Sequence, residues 1–186
     1  VLFDSLRKRG FSVKAVDKFG HDPKYPVSNN WPHLVQQLAD FAKRESDKAG
    51  QQPYLVGHSL GGFLSLMCAA RHPELARAVL LLDSPILGGW KATTLGVIKR
   101  TQLVGSVSPG KISRARRHIW ANQEEAYAHF QHKKAFARWD PKVLAHYIQF
   151  GTHDEPGVGR VLSFDRDIET AIYNTLPHDM DRFLKS

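Results

Sequence analysis

The sequence predicts an α/β protein built on a doubly wound, mostly parallel sheet, followed by an inserted helical segment. Residues 54–56 (YLV) and 78–82 (AVLLL) are apolar without alternation, which is typical of strands buried on both faces of a parallel sheet. Segments with the three- and four-residue apolar spacing of helices precede and separate them. Such alternation predicts a sheet with helices packed on both faces.

The first fifty residues divide into a helix, a strand, a loop and a second helix. Residues 2–9 end in a basic run followed by a glycine, a helix stop. Residues 11–16 (FSVKAV) follow as a short strand, and residues 17–30, rich in Gly, Pro, Asn and His, form a long loop. Apolar residues recur at helical spacing over 32–50, and Asn30 is available as the helix cap.

The chain changes character in its second half. An apolar helix over residues 60–71 separates the two apolar strands, but the later segments look helical and contain no convincing strand. The best marked of them begins with Asp-Pro and ends at glycine, over residues 140–151. We therefore expect a partial core over residues 1–87, and a helical cap with a return segment towards the core over residues 88–186.

The composition indicates a folded chain with one core. Apolar residues make up 42% and charged residues 24% of the 186 residues, which excludes a disordered tail and two large domains. The single cysteine, Cys68, excludes an internal disulfide and a multi-cysteine metal cluster. No apolar stretch approaches the roughly 18 residues of a spanning helix, and no dinucleotide fingerprint is present. Residues 1–4 lack the basic, apolar and small-residue order of a signal peptide, so secretion is not expected. We expect a cytoplasmic protein without a cofactor.

The net charge of +8 is concentrated in one segment. Residues 84–123 contain no Asp or Glu and seven cations: Lys91, Lys99, Arg100, Lys111, Arg114, Arg116 and Arg117. A basic surface attracts anionic partners at long range. The pattern therefore predicts contact between the cap and an anionic surface, with no obligate nucleic-acid partner.

A G-x-S-x-G motif occupies the junction between a predicted strand and a predicted helix. Gly57-His58-Ser59-Leu60-Gly61 directly follows residues 54–56 and opens the helix over 60–71. A serine at so tight a turn has a strained backbone, and only glycine at the two motif positions on either side of it, Gly57 and Gly61, leaves room for strand and helix to approach. Its hydroxyl would project above the sheet edge, where the Leu60 amide could stabilise an oxyanion. The alternative is that the glycines merely close the turn and Ser59 caps the helix.

Residues 54–62 (YLVGHSLGG) resemble the nucleophile elbow of the α/β-hydrolase superfamily. Residues 17–22 (DKFGHD) resemble the loop after the preceding core strand, and residues 78–85 resemble the strand after the nucleophile helix. The segment from Gly88 corresponds to the place where many members insert a helical cap. The resemblance implies an α/β-hydrolase core and a serine hydrolase for small-molecule esters or thioesters, since dehalogenases and epoxide hydrolases of this superfamily use aspartate at the elbow.

The resemblance also implies an acid and a histidine that follow Ser59 in chain order. Asp83, at the end of the strand after the nucleophile helix, is the candidate acid; the alternative is that it only shapes the loop. His178 is the candidate base, and His153 is a second one. A complete member has strands before the first helix seen here and two more after the cap. We therefore expect this chain to be an incomplete core with both ends missing.

Two further histidines are candidate substrate-binding residues. His58 adjoins the serine, and His21 lies on the loop at the catalytic edge; the alternatives are a structural role and a solvated loop. His129 and His132 lie three residues apart, but this pattern favours a solvated helix face over a metal site, and no metal ligands are assigned. We expect apolar residues of the cap to face the serine, or else to pack the cap: Trp90, Leu95, Ile98, Leu103 and Trp120.

Three functions from different classes follow from these observations. The first is a serine hydrolase that forms an acyl-enzyme on Ser59. The second is a binding protein that keeps the fold without the reaction, because the acid and histidine are weakly marked. The third is association of the basic cap with a membrane or nucleic acid, which can coexist with the first.

Overall fold

The computed structural model describes residues 1–86, 109–177 and 180–185. The chain divides into two compact units. We call Val16–Ile112 with Thr170–Ser186 the serine unit, and Val1–Ala15 with Ser113–Glu169 the hairpin unit. The predicted boundary between residues 87 and 88 lies outside the described residues and stays a prediction. Within the described ranges, no helix is long and apolar enough to cross a membrane.

The described elements alternate between helices and short strands, and a single 3₁₀ turn covers Pro73–Leu75. In chain order they are α1 (Leu2–Arg7), α2 (Pro32–Ala49), β1 (Tyr54–His58), α3 (Leu60–Arg71), β2 (Ala78–Leu82), α4 (Pro109–Ala115), β3 (Ile119–Trp120), α5 (Gln123–Gln131), α6 (Pro141–Gly151), β4 (Thr152–Glu155), β5 (Gly159–Leu162), α7 (Arg166–Asn174) and α8 (Asp181–Leu184).

The serine unit is built on a parallel pair of strands joined by a helix. β1 and β2 pair in register from Tyr54 opposite Ala78 to His58 opposite Leu82. α3 connects them and packs on both strands, and α2 packs on α3. This strand-helix-strand unit confirms the predicted α/β class and the parallel sheet. It also brings the carboxyl ends of β1 and β2 to one edge, directly beside Ser59.

Only one face of this sheet is covered in the described part of the chain. Leu55 and Gly57 are buried beneath α3. On the opposite face, Tyr54, Val56 and Leu80 remain 52%, 47% and 56% exposed. The prediction that both strands are buried on both faces is therefore wrong for this chain by itself. Their uniformly apolar sequence is typical of strands that are covered on both faces, whereas the described elements pack on one face of this sheet only.

The strand predicted over residues 11–16 does not form. These residues adopt no regular structure, and the Phe11 amide donates back to the Leu6 carbonyl oxygen at 3.2 Å after α1 ends. Phe11 is 51% exposed. A strand exists only where its backbone groups pair with a neighbouring strand, and none of the described strands pairs with this segment.

α2 begins differently from the prediction. Asn30 does not cap it, since the N-cap residue is Trp31 and no side chain caps the helix. Asn30 and Trp31 both have positive φ, 61° and 55°, a strained pair for non-glycine residues. The buried indole of Trp31 holds this turn, because its Nε1 donates to Thr175 Oγ1 at 3.0 Å and its ring meets Phe63 edge-on. The turn thereby anchors the 17–30 loop to α3.

The hairpin unit contains strands where none was predicted. β3, β5 and β4 form a three-stranded antiparallel sheet in that order. β4 reads Thr-His-Asp-Glu and lacks the apolar residues that mark a strand, so only the turn after it, with Pro156 and Gly157, carried a signal. The prediction of an all-helical second half is therefore wrong. The core of this unit comprises Trp120, Ala126, Phe130, Leu144 and Ile148.

Candidate active site

Ser59 lies in a strained turn between β1 and α3. It is the N-cap residue of α3, with φ 50° and ψ −116°, outside the regions that L-residues ordinarily adopt. The strain is held by neighbouring structure, because the Ser59 amide donates to the carbonyl oxygen of Leu82 at 3.2 Å at the end of β2. The strained strand-turn-helix geometry predicted from the motif is thus confirmed.

Two glycines make this turn sterically possible: Gly57, which is the first glycine of the motif, and Gly62, which follows the motif. A Cβ on Gly57 would overlap the backbone of Gly61 and Gly62. A Cβ on Gly62 would overlap the side chain of Ser84. At Gly61, by contrast, a Cβ would meet no described atom within 4 Å. Close approach of strand and helix therefore requires Gly57 and Gly62, and the expectation that Gly61 is required for space is wrong.

The Ser59 hydroxyl is not engaged by the described residues. Its side chain is exposed and makes no capping hydrogen bond to α3, so the geometry does not support the capping interpretation. The Ser59 carbonyl oxygen, in contrast, accepts from the Gly62 amide at 3.0 Å and from Ser84 Oγ at 3.1 Å. The backbone of the serine is therefore fixed while its hydroxyl has no hydrogen-bond partner among the described residues.

The Leu60 amide occupies the first turn of α3, where backbone N–H groups have no intrahelical acceptor. The amino end of a helix carries partial positive charge. No described group accepts a hydrogen bond from the Leu60 amide. Its assignment as an oxyanion donor stays a prediction that this position fits.

The loop after β2 lies against the serine turn. Asp83 follows β2 directly, is exposed, and has φ 45°; aspartate tolerates this region better than most residues. Its carboxylate forms no hydrogen bond or ion pair with a described residue. Asp83 thus lies at the predicted sheet edge, and its role as the acid stays a prediction.

Ser84 is a residue of this site that sequence reasoning missed. Its hydroxyl donates to the Ser59 carbonyl oxygen at 3.1 Å and also lies 3.3 Å from the Leu82 carbonyl oxygen. It therefore ties the loop after β2 to the serine turn. The available signal was a hydroxyl residue two positions past an apolar strand, at the edge where parallel strands end beside one another.

The two candidate substrate-binding histidines have different surroundings. His58 ends β1 on the same face as Tyr54 and Val56, the exposed face of the sheet away from α3. His21 is half-buried, and its Nδ1 lies 3.0 Å from the Phe19 carbonyl oxygen, so it helps to fold its own loop. Neither assignment to substrate binding is tested by these contacts.

Gln37 of α2 fixes the loop that carries His21. Its amide nitrogen donates to the Lys18 carbonyl oxygen at 3.2 Å, and its Oε1 accepts from the Gly20 amide at 3.3 Å. One side chain thus satisfies two backbone groups of the loop. The position of residues 18–20 is set by α2, which is a long-range dependence.

The candidate bases are not brought against Ser59 by any described contact. His178 lies outside the described residues. His153, in β4 of the hairpin unit, is about half exposed, and its Nε2 lies 3.5 Å from Glu155 Oε2. Its Nδ1 lies 3.3 Å from Ser163 Oγ. These partners are local to the hairpin, so its contacts indicate a structural role in that sheet.

His129 packs its ring against Trp120 and Phe130, at centroid distances of 5.6 and 5.3 Å. Burial lowers the pKa of His129, assisted by nearby Lys133 and Arg117. A ring packed between two aromatic residues is not solvated, so the expectation of a solvated helix face does not hold for His129. Among the described residues, no group of three or more His, Cys, Asp or Glu side chains could hold a metal ion.

The residues expected to line a pocket above the serine are mostly outside the described part: Trp90, Leu95, Ile98 and Leu103. Trp120 is described, and it is 1% exposed in the core of the hairpin unit. For Trp120 the core-packing interpretation therefore holds. Cys68 is likewise fully buried, in α3, and burial raises its pKa to about 11, which keeps the thiol protonated and unreactive.

Two cations of the basic segment over residues 84–123 form ion pairs. Arg116 Nη1 lies 3.0 Å from Glu169 Oε1, and Arg117 Nη2 lies 2.5 Å from Glu125 Oε1. Arg114 is exposed and forms no ion pair with a described residue. These pairs lie within the hairpin unit, so part of the basic segment is internally compensated.

Comparisons with known proteins agree with this geometry. The sequence profile described as the alpha/beta hydrolase family matches residues 1–181. A monoglyceride lipase homolog of Monkeypox virus is 23% identical over 154 residues, which are 77% of this chain and 55% of the viral protein.

Two solved structures resemble the fold. E-2-(acetamidomethylene)succinate hydrolase has a TM-score of 0.64 at 19% identity, with 94% of this chain and 60% of that one covered. A peroxisomal alpha-beta-hydrolase from Saccharomyces cerevisiae has a TM-score of 0.57 at 16% identity, with 81% and 40% covered. The chain therefore spans only part of the length of these relatives. Because the family profile matches almost every residue and the strand, elbow and helix have the expected geometry, the chain belongs to the alpha/beta hydrolase family.

Proposed function

We propose that this chain carries the nucleophile of a serine hydrolase that cleaves carboxylic ester or thioester bonds. The observation that supports this most directly is the exposed, uncapped hydroxyl of Ser59 on a strained turn. Strain of this kind persists only where surrounding structure maintains it, and it concentrates at functional sites. The Leu60 amide beside it and the clamp by Ser84 complete the local support.

In the proposed reaction, the Ser59 oxygen attacks the acyl carbonyl carbon while its proton passes to a general base, for which His178 is the candidate. The negative charge that develops on the carbonyl oxygen would be stabilised by the Leu60 amide at the start of α3. Collapse of this intermediate expels the alcohol or thiol, which takes up a proton, and leaves an acyl-enzyme. Water then hydrolyses the acyl-enzyme and regenerates the Ser59 hydroxyl.

The names of the relatives favour ester chemistry without defining a substrate. The viral relative is named a monoglyceride lipase homolog, and lipases cleave carboxylic esters. Serine at the elbow agrees with acyl transfer, because a serine nucleophile forms an ester intermediate that water can hydrolyse.

Labelling with a fluorophosphonate probe tests the proposal. We expect the protein to be labelled at Ser59, the Ser59→Ala variant to lose labelling, and ester turnover to fall by about three to six orders of magnitude, as in serine triads. Ser46→Ala is the matched control, because Ser46 lies in α2 and its hydroxyl donates to the Gln51 carbonyl oxygen, away from the serine turn. It should label and turn over like the parent.

Two results would contradict the proposal. Equal labelling of the Ser59→Ala variant would place the reactive group elsewhere. A folded, monodisperse parent that is neither labelled nor active on short-chain esters and thioesters would favour the second candidate, a binding protein with this fold. That candidate has one specific observation behind it: among the described residues, no histidine ring forms a hydrogen bond with the Ser59 hydroxyl. Circular dichroism of both variants separates loss of reaction from loss of fold.

A further inference from the structure

Helix α6 of the hairpin unit has apolar residues on two opposite faces. Leu144 and Ile148, four residues apart, are 4% and 1% exposed and belong to the core of the unit. On the opposite side, Val143 and Phe150 are 37% and 69% exposed. A surface helix ordinarily has one apolar face, which it buries. Part of this second face is used within the unit, because Trp139 packs its ring against Phe136 and Tyr147 and His146 Nδ1 lies 3.1 Å from the Val1 amino group. Val143 and Phe150 remain its exposed apolar residues.

Val143 and Phe150 belong to one stripe that extends past the start of the helix and includes the half-buried His146. Trp139, Val143, His146 and Phe150 follow one another at spacings of four, three and four residues, which is the period of a single helix face. Trp139 is 40% exposed. His146 contacts the Phe150 ring edge-on at 5.6 Å between centroids. We call Trp139, Val143, His146 and Phe150 the exposed stripe.

Positive charge borders this stripe. Residues 133–150 contain one carboxylate, Asp140, and four cations: Lys133, Lys134, Arg138 and Lys142. Asp140 is used locally, because its Oδ1 accepts from the Lys142 amide at the start of α6. Lys134, Arg138 and Lys142 are exposed, and none of them forms an ion pair with a described residue. This contrasts with Arg116 and Arg117, which are paired with glutamates.

We propose that the exposed stripe and its bordering cations form a docking surface for a membrane that contains anionic phospholipid. An interfacial helix buries an apolar face among the lipid headgroups while lysine and arginine side chains contact lipid phosphates and carboxylates. Tryptophan at the end of such a stripe suits the boundary between acyl chains and headgroups. The aliphatic stems of Arg138 and Lys142 can lie along the apolar surface while their charged ends reach the headgroups.

Charge complementarity selects this occupant over two others. A second copy of the chain on the same face would bring the cations of both copies together without compensating carboxylates. A nucleic acid would satisfy the cations but leave Phe150 and Val143 exposed to water, because phosphates and sugars do not bury an apolar stripe. An anionic lipid surface satisfies both features at once. The proposal is independent of the reaction at Ser59, because every residue of the surface lies in the hairpin unit.

The first test measures insertion at a single position. Phe150→Cys is labelled with an environment-sensitive fluorophore; Cys68 does not compete, because it is fully buried and burial raises its pKa to about 11. Val158→Cys, in the β4–β5 turn of the same unit, is the matched control, since Val158 is 51% exposed and lies outside the stripe. We expect a fluorescence increase at position 150 and not at 158 with vesicles in which about one lipid in three is phosphatidylserine.

The second test separates the apolar and charged contributions. Phe150→Ser and the double variant Lys134→Gln/Lys142→Gln should each weaken partitioning onto phosphatidylserine vesicles roughly tenfold or more. Arg114→Gln, an exposed cation outside the surface, should leave partitioning unchanged. Binding should fall as salt is raised and be lost on pure phosphatidylcholine, because the cations supply long-range attraction.

Four results would overturn the proposal. The first is an equal fluorescence change at positions 150 and 158. The second is vesicle binding that Phe150→Ser does not weaken. The third is a protein that does not bind vesicles but binds a DNA duplex through the cations and without Phe150. The fourth is a dimer in size-exclusion chromatography that Phe150→Ser dissociates, again without vesicle binding. Circular dichroism of Phe150→Ser confirms folding, which we expect to be intact, since Phe150 is 69% exposed.

Discussion

The three glycines around Ser59 should respond to an added methyl group with different signs. At Gly57 a Cβ would overlap the backbone of α3, and at Gly62 it would overlap the Ser84 side chain, whereas at Gly61 it would meet no described atom within 4 Å. The motif alone treats Gly57 and Gly61 as equivalent. The structure separates them, and this separation can be measured as the free energy of unfolding.

The magnitudes follow from which atoms must move. Gly57→Ala has to shift backbone of the strand or helix, so it should cost about 3 kcal/mol, at the upper end of overpacking penalties. Gly62→Ala displaces a side chain and with it the hydrogen bond from Ser84 to Ser59, so about 1–3 kcal/mol is expected. Gly61→Ala should stabilise by about 0.5–1 kcal/mol, because alanine restricts the unfolded chain and favours the helix.

Urea unfolding compares the stability of the three variants. Where the dependence of the unfolding free energy on urea concentration is unchanged, the shift of the unfolding midpoint gives the change in stability. A rescue pair sharpens the comparison. In a Ser84→Gly background the severe overlap at Gly62 is removed and only a tight 3.2 Å contact with the Gly57 carbonyl oxygen is left, so Gly62→Ala should cost less there, while Gly57→Ala should cost as much as before. The reasoning is refuted if Gly61→Ala is as destabilising as Gly57→Ala, or if Ser84→Gly relieves both substitutions equally.

Two further predictions concern carboxylates of the serine unit. Asp83→Asn should lower ester turnover less than about tenfold, because asparagine keeps the positive φ at 45° and Asp83 forms no hydrogen bond with a described residue; a loss of about 10⁴ would instead identify it as the acid that orients the histidine. The hydrogen bond from the Tyr25 hydroxyl to Asp40, at 2.6 Å, is the main cause that holds the pKa of Asp40 below its ordinary value, and Gln36 adds to it. A lowered pKa stabilises the fold above the unfolded pKa of about 4, and this contribution is lost as pH falls through the folded pKa. Tyr25→Phe should therefore raise the pKa of Asp40 in an NMR titration and flatten the acid loss of stability; an unchanged titration would contradict this.

Local sequence was sufficient wherever a signal and its structure lie within a few residues of each other. The helix over 60–71 and the strand over 78–82 form as predicted, and α6 begins at Pro141 behind its Asp140 cap, as its residues indicate. The strained serine turn was also predictable, because strand, glycines and helix are contiguous. In each case the residues that carry the sequence signal are near neighbours in the chain, although β2 is stabilised by pairing with β1 and the serine turn by its bond to the Leu82 carbonyl oxygen.

Strand formation depended on partners that a local pattern does not contain. Residues 11–16 have a strand-like composition but no described strand to pair with, whereas the polar β4 pairs with β5 through a tight turn. Hydrogen bonds between strands are long-range, so the same composition is a strand in one context and a coil in another. The pattern of β1 and β2 likewise indicates two covered faces, while the described chain covers one.

The sequence by itself determined the fold class, the family resemblance and the single residue on which the proposed chemistry depends. Tertiary structure alone decided that Gly62 rather than Gly61 carries the steric requirement, that Ser84 clamps the serine turn, and that Trp120 is a core residue. The physical reason is common to these cases. Each depends on atoms from separate elements that become neighbours only in the folded chain. This happens when β2 pairs with β1 and when α5 and α6 pack against the antiparallel sheet.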